Sequence, residues 1–338
     1  MVRVRDWLRV FRTSTSPLTV VCVEVFYLIA GGPFLSLFNL LLILWAILLH
    51  FMAYGHNALM DTARGLDQEN PHMKKQPLTS GSIGLNNAHN VINWLMLIAI
   101  LVGLLIVLAS PGQQVLALTF LIVYVVSGHA YNDGLDKATV LSFIPATLSF
   151  TSLCAASYFL YATSASQLFI LALVYIILTQ LFMIGWEGYL KDVTFGKEPN
   201  LLRSLGVKVE KSRFNINMKG RIFGYGLRIA AIVVMFIIGS TVLVLTVNAV
   251  SQLIAFTSIA VFAIVAVFSM LLIEGRDYSY DRDLIYIVVE DFASIALLPL
   301  VLVQQIGAIP VISIISFAII WFIIFNEISW SSLIKTAF

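Results

Sequence analysis

Three oxygen-bearing side chains stand at cation-binding spacings in the run His56-Asn57-Ala58-Leu59-Met60-Asp61-Thr62-Ala63-Arg64-Gly65-Leu66-Asp67. Asn57 and Asp61 are four apart, so on a helix they share a face. Asp67 can return to them through the turn that Gly65 permits. A few hard oxygen ligands suit Mg²⁺, which leaves coordination positions for phosphate oxygens. Arg64, Lys74 and Lys75 can hold the remaining phosphate charge. The same spacing also fits a solvated loop with helix-capping carboxylates, and spacing alone does not separate the two readings.

A second polar group follows in Trp186-Glu-Gly-Tyr-Leu-Lys-Asp192, continuing to Gly206. Glu187 and Lys191 are four apart and can form a helix-surface ion pair. Between the two groups lies Tyr131-Asn-Asp-Gly-Leu-Asp-Lys137, where Lys137 can meet a phosphate or be neutralised by Asp133 and Asp136. Glu24 and the pair Glu290-Asp291 lie inside apolar runs, where a carboxylate either serves function or is held by hydrogen bonds. If Glu24 faces a central cavity, it can receive a proton there.

Positioning these groups falls to a membrane-spanning bundle. Of 338 residues, 60% are hydrophobic and 11% charged, too few charges to surface a water-soluble fold. An apolar stretch of about 20 residues crosses a bilayer. Spans are expected roughly at 15–32, 34–55, 88–110, 113–131, 140–162, 166–187, 222–247, 251–273, 284–305 and 308–330, the last two being either two spans or one span and a re-entrant piece. The expectation is an all-α polytopic bundle of about nine or ten spans with a polar cytoplasmic cap. Residues 1–338 are read as a single domain. Residues 1–13 form an interfacial amphipathic helix, with Val4, Trp7, Leu8 and Phe11 on one face. The segments 56–87 and 188–221 form the site loops.

The charges set the orientation. Arg3, Arg5, Arg9, Arg12, Arg64, Lys74, Lys75, Lys137, the basic residues from Lys191 to Arg228, Arg276 and Arg282 all fall on one side of an up-down count. That side is assigned to the cytoplasm, and the protein to the cell membrane, by the positive-inside rule. Most acidic residues share it, as a cap rather than a midplane ion pathway. Cys22 and Cys154 lie in apolar runs and suggest neither a disulfide framework nor a zinc site.

The first motif resembles the first Asp-rich motif of the UbiA superfamily of intramembrane prenyltransferases: Asn-Asp-x-x-Asp-x-x-x-Asp, then Arg-Pro-Leu and Ser-Gly. Asn57 and Asp61 match in place, while Asp67, Pro77-Leu78 and Ser80-Gly81 match after a two-residue insertion. Ala58 replaces the first Asp, and Gln76 replaces the Arg beside Lys75. The segment after Trp186 is similar to the family's second Asp-rich loop. Either Lys191-Asp192 begins that pattern and Gly196 replaces its second Asp, or Asp192 is the second carboxylate and Gly188 replaces the first, beside Glu187. In both alignments one carboxylate is missing or displaced. The family also carries a Tyr and a Lys after its fourth span, here Tyr131 and Lys137.

The resemblance covers about residues 10–275. It implies an enzyme that moves a polyprenyl group from a polyprenyl diphosphate to a lipophilic acceptor, with Mg²⁺ as cofactor. Asn57, Asp61, Asp67 and Asp192 are the implied metal ligands, with Asp61, Asp67 and Asp192 catalytic. Arg64, Lys75, Tyr131, Lys137, Glu187 and Lys191 are the implied substrate contacts. The acceptor is expected to be a quinone precursor or ether lipid, with membrane lipids as neighbours and no nucleic acid as partner. Two other readings stay open: a family relative that lost turnover and serves as a lipid-binding or scaffold protein, and a membrane transporter.

Overall fold

The computed structural model describes residues 3–65, 73–135, 139–195, 199–210, 213–244, 249–275 and 280–330. Asp67 and Lys137 lie outside them, and Lys191 is described in its backbone alone. The chain runs through α1 (Val4–Val10), α2 (Ser16–Ile29), α3 (Leu37–Ala63), α4 (Leu85–Ala109), α5 (Gln114–Ala130), α6 (Phe143–Phe159) and α7 (Gln167–Phe182). The short α8 (Tyr189–Phe195) and α9 (Leu201–Ser204) follow, then the antiparallel strands β1 (Lys208–Glu210) and β2 (Arg213–Asn215), with Val209 opposite Phe214. The chain continues in α10 (Met218–Val244), α11 (Ala249–Gly275), α12 (Tyr280–Val301), α13 (Val303–Ile306) and α14 (Ala308–Trp330).

The rods α2 to α7, α10 to α12 and α14 fall on the expected spans. Seven of the described helices are long and apolar enough to cross a membrane, and those at 13–29 and 143–159 are apolar but shorter. The helix α12 carries Glu290 and Asp291 in its interior and breaks just after Pro299, before α13 and Gly307 turn the chain into α14. The protein is a polytopic α-helical membrane bundle.

The centre is α2. At 14 residues it spans only about 21 Å, and all of it except Leu18 is buried. It packs against α3, α6, α7, α12, α13 and α14. The other helices surround it in the order α3–α4–α5–α6–α7–α10–α11–α12–α14, each touching the next, and α1 touches both α14 and α3. The outer faces carry exposed Leu40, Leu44, Trp94, Leu101, Leu105 and Ile264, as lipid requires.

Small residues and interhelical hydrogen bonds hold the rods together, because burial alone drives little association within lipid. The Trp45 indole donates to the Ala99 carbonyl at 2.9 Å, and Gly103 leaves room for that ring. The Ser157 hydroxyl donates to the Val23 carbonyl at 2.6 Å, tying α6 to α2. The Tyr175 hydroxyl donates to the Ser294 carbonyl at 2.6 Å, tying α7 to α12. Beyond the helix ends, the described residues of 189–195, 199–210 and 213–216 fold back over α7, burying Leu190, Leu202, Val207, Phe214 and Ile216 against Phe182 and Trp186. The second site segment is therefore a packed cap with its own apolar core.

The amphipathic segment departs from expectation. Trp7 stacks on Phe11 and Phe11 on Phe51, while Val10 joins Leu59, Leu78, Ile83 and Ile92 in a small core. Val4, expected on the apolar face, is exposed. Arg5 and Arg9 both donate to the Ser329 carbonyl, at 2.9 and 2.6 Å, and Arg9 lies over the Trp330 ring. The helix is docked on α3 and α14, not only laid at an interface.

Candidate active site

The end of α3 presents the first motif. Thr62 is buried, Asp61 half-buried, and Asp61 lines a cleft with Arg9, Val10, Arg12, Ala58, Thr62, Gln76 and Leu78. Two guanidinium-bearing residues of the N-terminal segment therefore share a cleft with the motif carboxylate. Arg12 holds a left-handed backbone, φ 44° and ψ 46°, which disfavours a residue with a Cβ. His50 fixes it: His50 Nε2 donates to the Arg12 carbonyl at 3.2 Å, while Nδ1 accepts from the Thr19 hydroxyl at 2.9 Å. The Arg12 guanidinium lies 5.1 Å above the Tyr54 ring. Backbone strain of this kind marks places that the surrounding structure over-determines. Arg9 and Arg12 were read in the sequence only as orientation charges.

Asn57 sits one turn before Asp61, and its Nδ2 donates to Asn132 Oδ1 at 3.4 Å. Its own oxygen is thereby turned from that contact. The donors on this face, an amide oxygen and a carboxylate, are the hard oxygens that Mg²⁺ prefers, so α3 fits the ion. Arg64 donates to the Asn132 carbonyl at 3.0 Å, which ties the end of α3 to the π-turn Tyr131–Leu135. Gly134 allows that turn, with φ at 149°. Tyr131 opens it and Lys75 stands exposed on the turn Met73–Lys75. Gln76, which holds the place of the family's Arg, is buried against the cleft.

The second segment departs from its sequence reading. Glu187 is not a helix-surface residue. It lies on the π-turn Met183–Gly188, buried, with its carboxylate near those of Glu290 and Asp291; the three ligand atoms fall within 4.8 Å of one another. Arg228, read in the sequence as a loop charge, lies ten positions into α10 and is buried there, paired with Glu290. Its guanidinium also packs on the Phe182 ring, 3.7 Å from the centroid. With all four groups ionised the cluster carries a formal −2, which burial makes costly unless protons or a cation balance it. Asp192 is exposed on α8, where its carbonyl accepts from Arg203 at 2.7 Å.

The signal for Arg228 was present in the sequence, since it falls inside the expected span 222–247, where a charge calls for a partner. Glu24 has the opposite outcome. Asn39 Nδ2 donates to it at 2.6 Å, and Asn39 stands near the start of α3. At 1.5 Å per residue that is about 33 Å along the helix from Asp61. The carboxylate joins α2 to α3 at the end remote from the polar cap.

No protein-family model matches the sequence, and no curated protein matches it. The fold does have relatives among solved structures. A UbiA homologue from Archaeoglobus fulgidus bound to GPP and Mg²⁺ superposes with a TM-score of 0.62 at 14% identity, covering 92% of this chain and 99% of that one. A UbiA homologue from Aeropyrum pernix K1 gives 0.59 at 15% identity, over 86% and 96%. A structure of digeranylgeranylglyceryl phosphate synthase gives 0.57 at 14% identity, over 94% and 100%. The chain thus has the UbiA fold along nearly its whole length.

Proposed function

We propose that this protein is an intramembrane prenyltransferase of the UbiA type. It would move a polyprenyl group from a polyprenyl diphosphate to a lipophilic acceptor. The observation that carries the reading is the cleft at the end of α3. There Asp61, one turn from Asn57, shares a cleft with Arg9 and Arg12 in a fold otherwise found in a homologue bound to GPP and Mg²⁺.

Mg²⁺ held by Asn57 and Asp61, with Asp67 and Asp192 as further candidates, would stabilise charge on the leaving diphosphate. Arg9 and Arg12 line the cleft beside Asp61 and bind diphosphate oxygens, standing in for the cation that Gln76 lacks. Arg64, pinned to Asn132, closes the other side of α3. Tyr131, Lys75, Lys137 and Lys191 remain diphosphate candidates at the rim. Glu187 belongs to the buried cluster and holds charge or a proton there. The apolar bundle below shields the developing allylic cation from water until the acceptor captures it. The likeness to digeranylgeranylglyceryl phosphate synthase favours an ether-lipid acceptor over a quinone precursor. The positive-inside pattern favours a cytoplasmic cleft.

The test is diphosphate release from geranylgeranyl diphosphate by purified protein in lipid, with a membrane extract as acceptor source. Release that requires both Mg²⁺ and Asp61 supports the enzyme. Binding of the diphosphate without release, across several donor lengths, supports the relative that lost turnover.

A further inference from the structure

We propose that His56, His129 and Asp133 form a binding site for a transition-metal dication such as Zn²⁺, stapling α3 to the end of α5. His56 comes from α3, His129 from the last turn of α5, and Asp133 from the π-turn that follows. His56 Nε2 lies 3.1 Å from Asp133 Oδ1, and His129 Nδ1 lies 3.6 Å from Oδ2. One ligand atom from each of the three falls within 4.8 Å of the others. A tetrahedral ion about 2.0–2.1 Å from each ligand holds its ligand atoms about 3.3 Å apart. His56 stands near that value from one oxygen of Asp133 and His129 from the other, so the carboxylate would meet the ion through both oxygens or turn to present one.

His129 Nε2 faces the Met96 thioether at 3.1 Å, which turns Nδ1, the ring's other nitrogen, toward Asp133 and leaves it to a metal ion. Imidazole nitrogen with one carboxylate suits Zn²⁺, Co²⁺ or Fe²⁺ and suits Mg²⁺ poorly.

The site is separate from the Asp61 cleft. His56 and Asn57 are adjacent on α3 and so point to different faces. Asn132 connects them: its amide lies 3.4 Å from His56 Nδ1, and its oxygen accepts from Asn57 Nδ2 at 3.4 Å. Asn132 therefore positions a residue of each site. Asp133 is half exposed at 51% and His129 a third exposed at 33%, which leaves an entry path and open coordination positions.

The experiment is titration of untagged full-length protein in nanodiscs with Co²⁺, read by visible ligand-field absorption. The expected result is one Co²⁺ per chain, displaced by Zn²⁺ and indifferent to excess Mg²⁺. Both His129→Asn and the near-isosteric Asp133→Asn should weaken binding by more than the roughly 100-fold that outer-shell changes cost. His89→Asn, an exposed ring on α4, should leave binding unchanged. Absent ligand-field bands in the wild type overturn the site, and so do bands that survive in a folded His129→Asn, Asp133→Asn double variant. In either case the trio is a hydrogen-bonded clasp only.

Discussion

Arg228 of α10 and Glu290 of α12 form an ion pair inside the bundle, with side chains 3% and 1% exposed. Glu187 and Asp291 crowd the same point, so Arg228 offsets part of the charge that three carboxylates bring to an apolar interior. Removing one partner of a buried pair strands the other and costs about 3–5 kcal/mol. Arg228→Met should therefore lower the thermal midpoint sharply, and Glu290→Gln less, because Glu187 remains within electrostatic reach of the guanidinium. The double variant should lose less than the two single changes together, since the pair is removed as a unit while Glu187 and Asp291 stay. Thermal unfolding of the four proteins in lipid checks this, and additive losses in the double variant would refute the coupling.

Asp61→Asn keeps the size of the side chain and removes its charge. Diphosphate release should fall by about 10²–10³-fold, the usual effect of losing one stabilising group at a developing charge. The thermal midpoint should stay close to wild type, because Asp61 is only half-buried at the helix end. Chelation of Mg²⁺ should abolish release in the wild type and change little in the variant. Equal rates for the two proteins would remove α3 from the chemistry.

Arg12→Met separates two roles of one residue. The backbone strain and the hydrogen bond from His50 concern the main chain and survive the change. The guanidinium over Tyr54, at the cleft that Asp61 lines, does not. The expected outcome is weaker donor binding, seen as a raised KM for the diphosphate, with a thermal midpoint near wild type. A fall in stability without a change in KM would make Arg12 a structural clamp over Tyr54.

The membrane class, the order of the rods and the placement of Asn57 and Asp61 on one helix end follow from local pattern, and the structure contains them all. Apolar length reports a span, and a spacing of four reports a shared face, wherever the helix goes. What local pattern cannot report is which rods meet. Glu187 and Lys191 satisfy a helix-pair spacing, yet a π-turn at Met183–Gly188 rotates Glu187 inward toward α12, more than 100 positions away in sequence. Arg9 and Arg12 look like orientation charges because nothing near them predicts that α1 docks between α14 and α3. His56 and His129 are each ordinary helix residues, and only packing of α3 near α5 sets their rings 4.7 Å apart.

Gly224 is where α10 presses on the cap. A Cβ there would lie 2.7 Å from the Trp186 ring, below any ordinary contact. Gly224→Leu must displace that indole, and Glu187 next to it. Overpacking of this kind costs about 1–3 kcal/mol. The expected signs are a lower thermal midpoint and a shifted tryptophan emission. Release should fall too if the buried carboxylates serve the reaction, whereas an unchanged rate in the folded variant would confine their role to holding α7, α10 and α12 together.

Glu24 poses the same question from the other end of the molecule. Its carboxylate is buried, and Asn39 donates to it at 2.6 Å. Asn39→Ala removes that donor and should cost about 1–3 kcal/mol, the penalty for leaving a buried polar group unsatisfied. Glu24→Gln should restore part of the stability when combined with it, because a neutral amide is cheaper to bury than a carboxylate. If Glu24 only joins α2 to α3, the KM and turnover of the folded Glu24→Gln variant stay at wild-type values, about 33 Å of helix separating it from Asp61. A turnover that collapses in this variant while its melting point holds would give Glu24 a part in the reaction beyond joining α2 to α3.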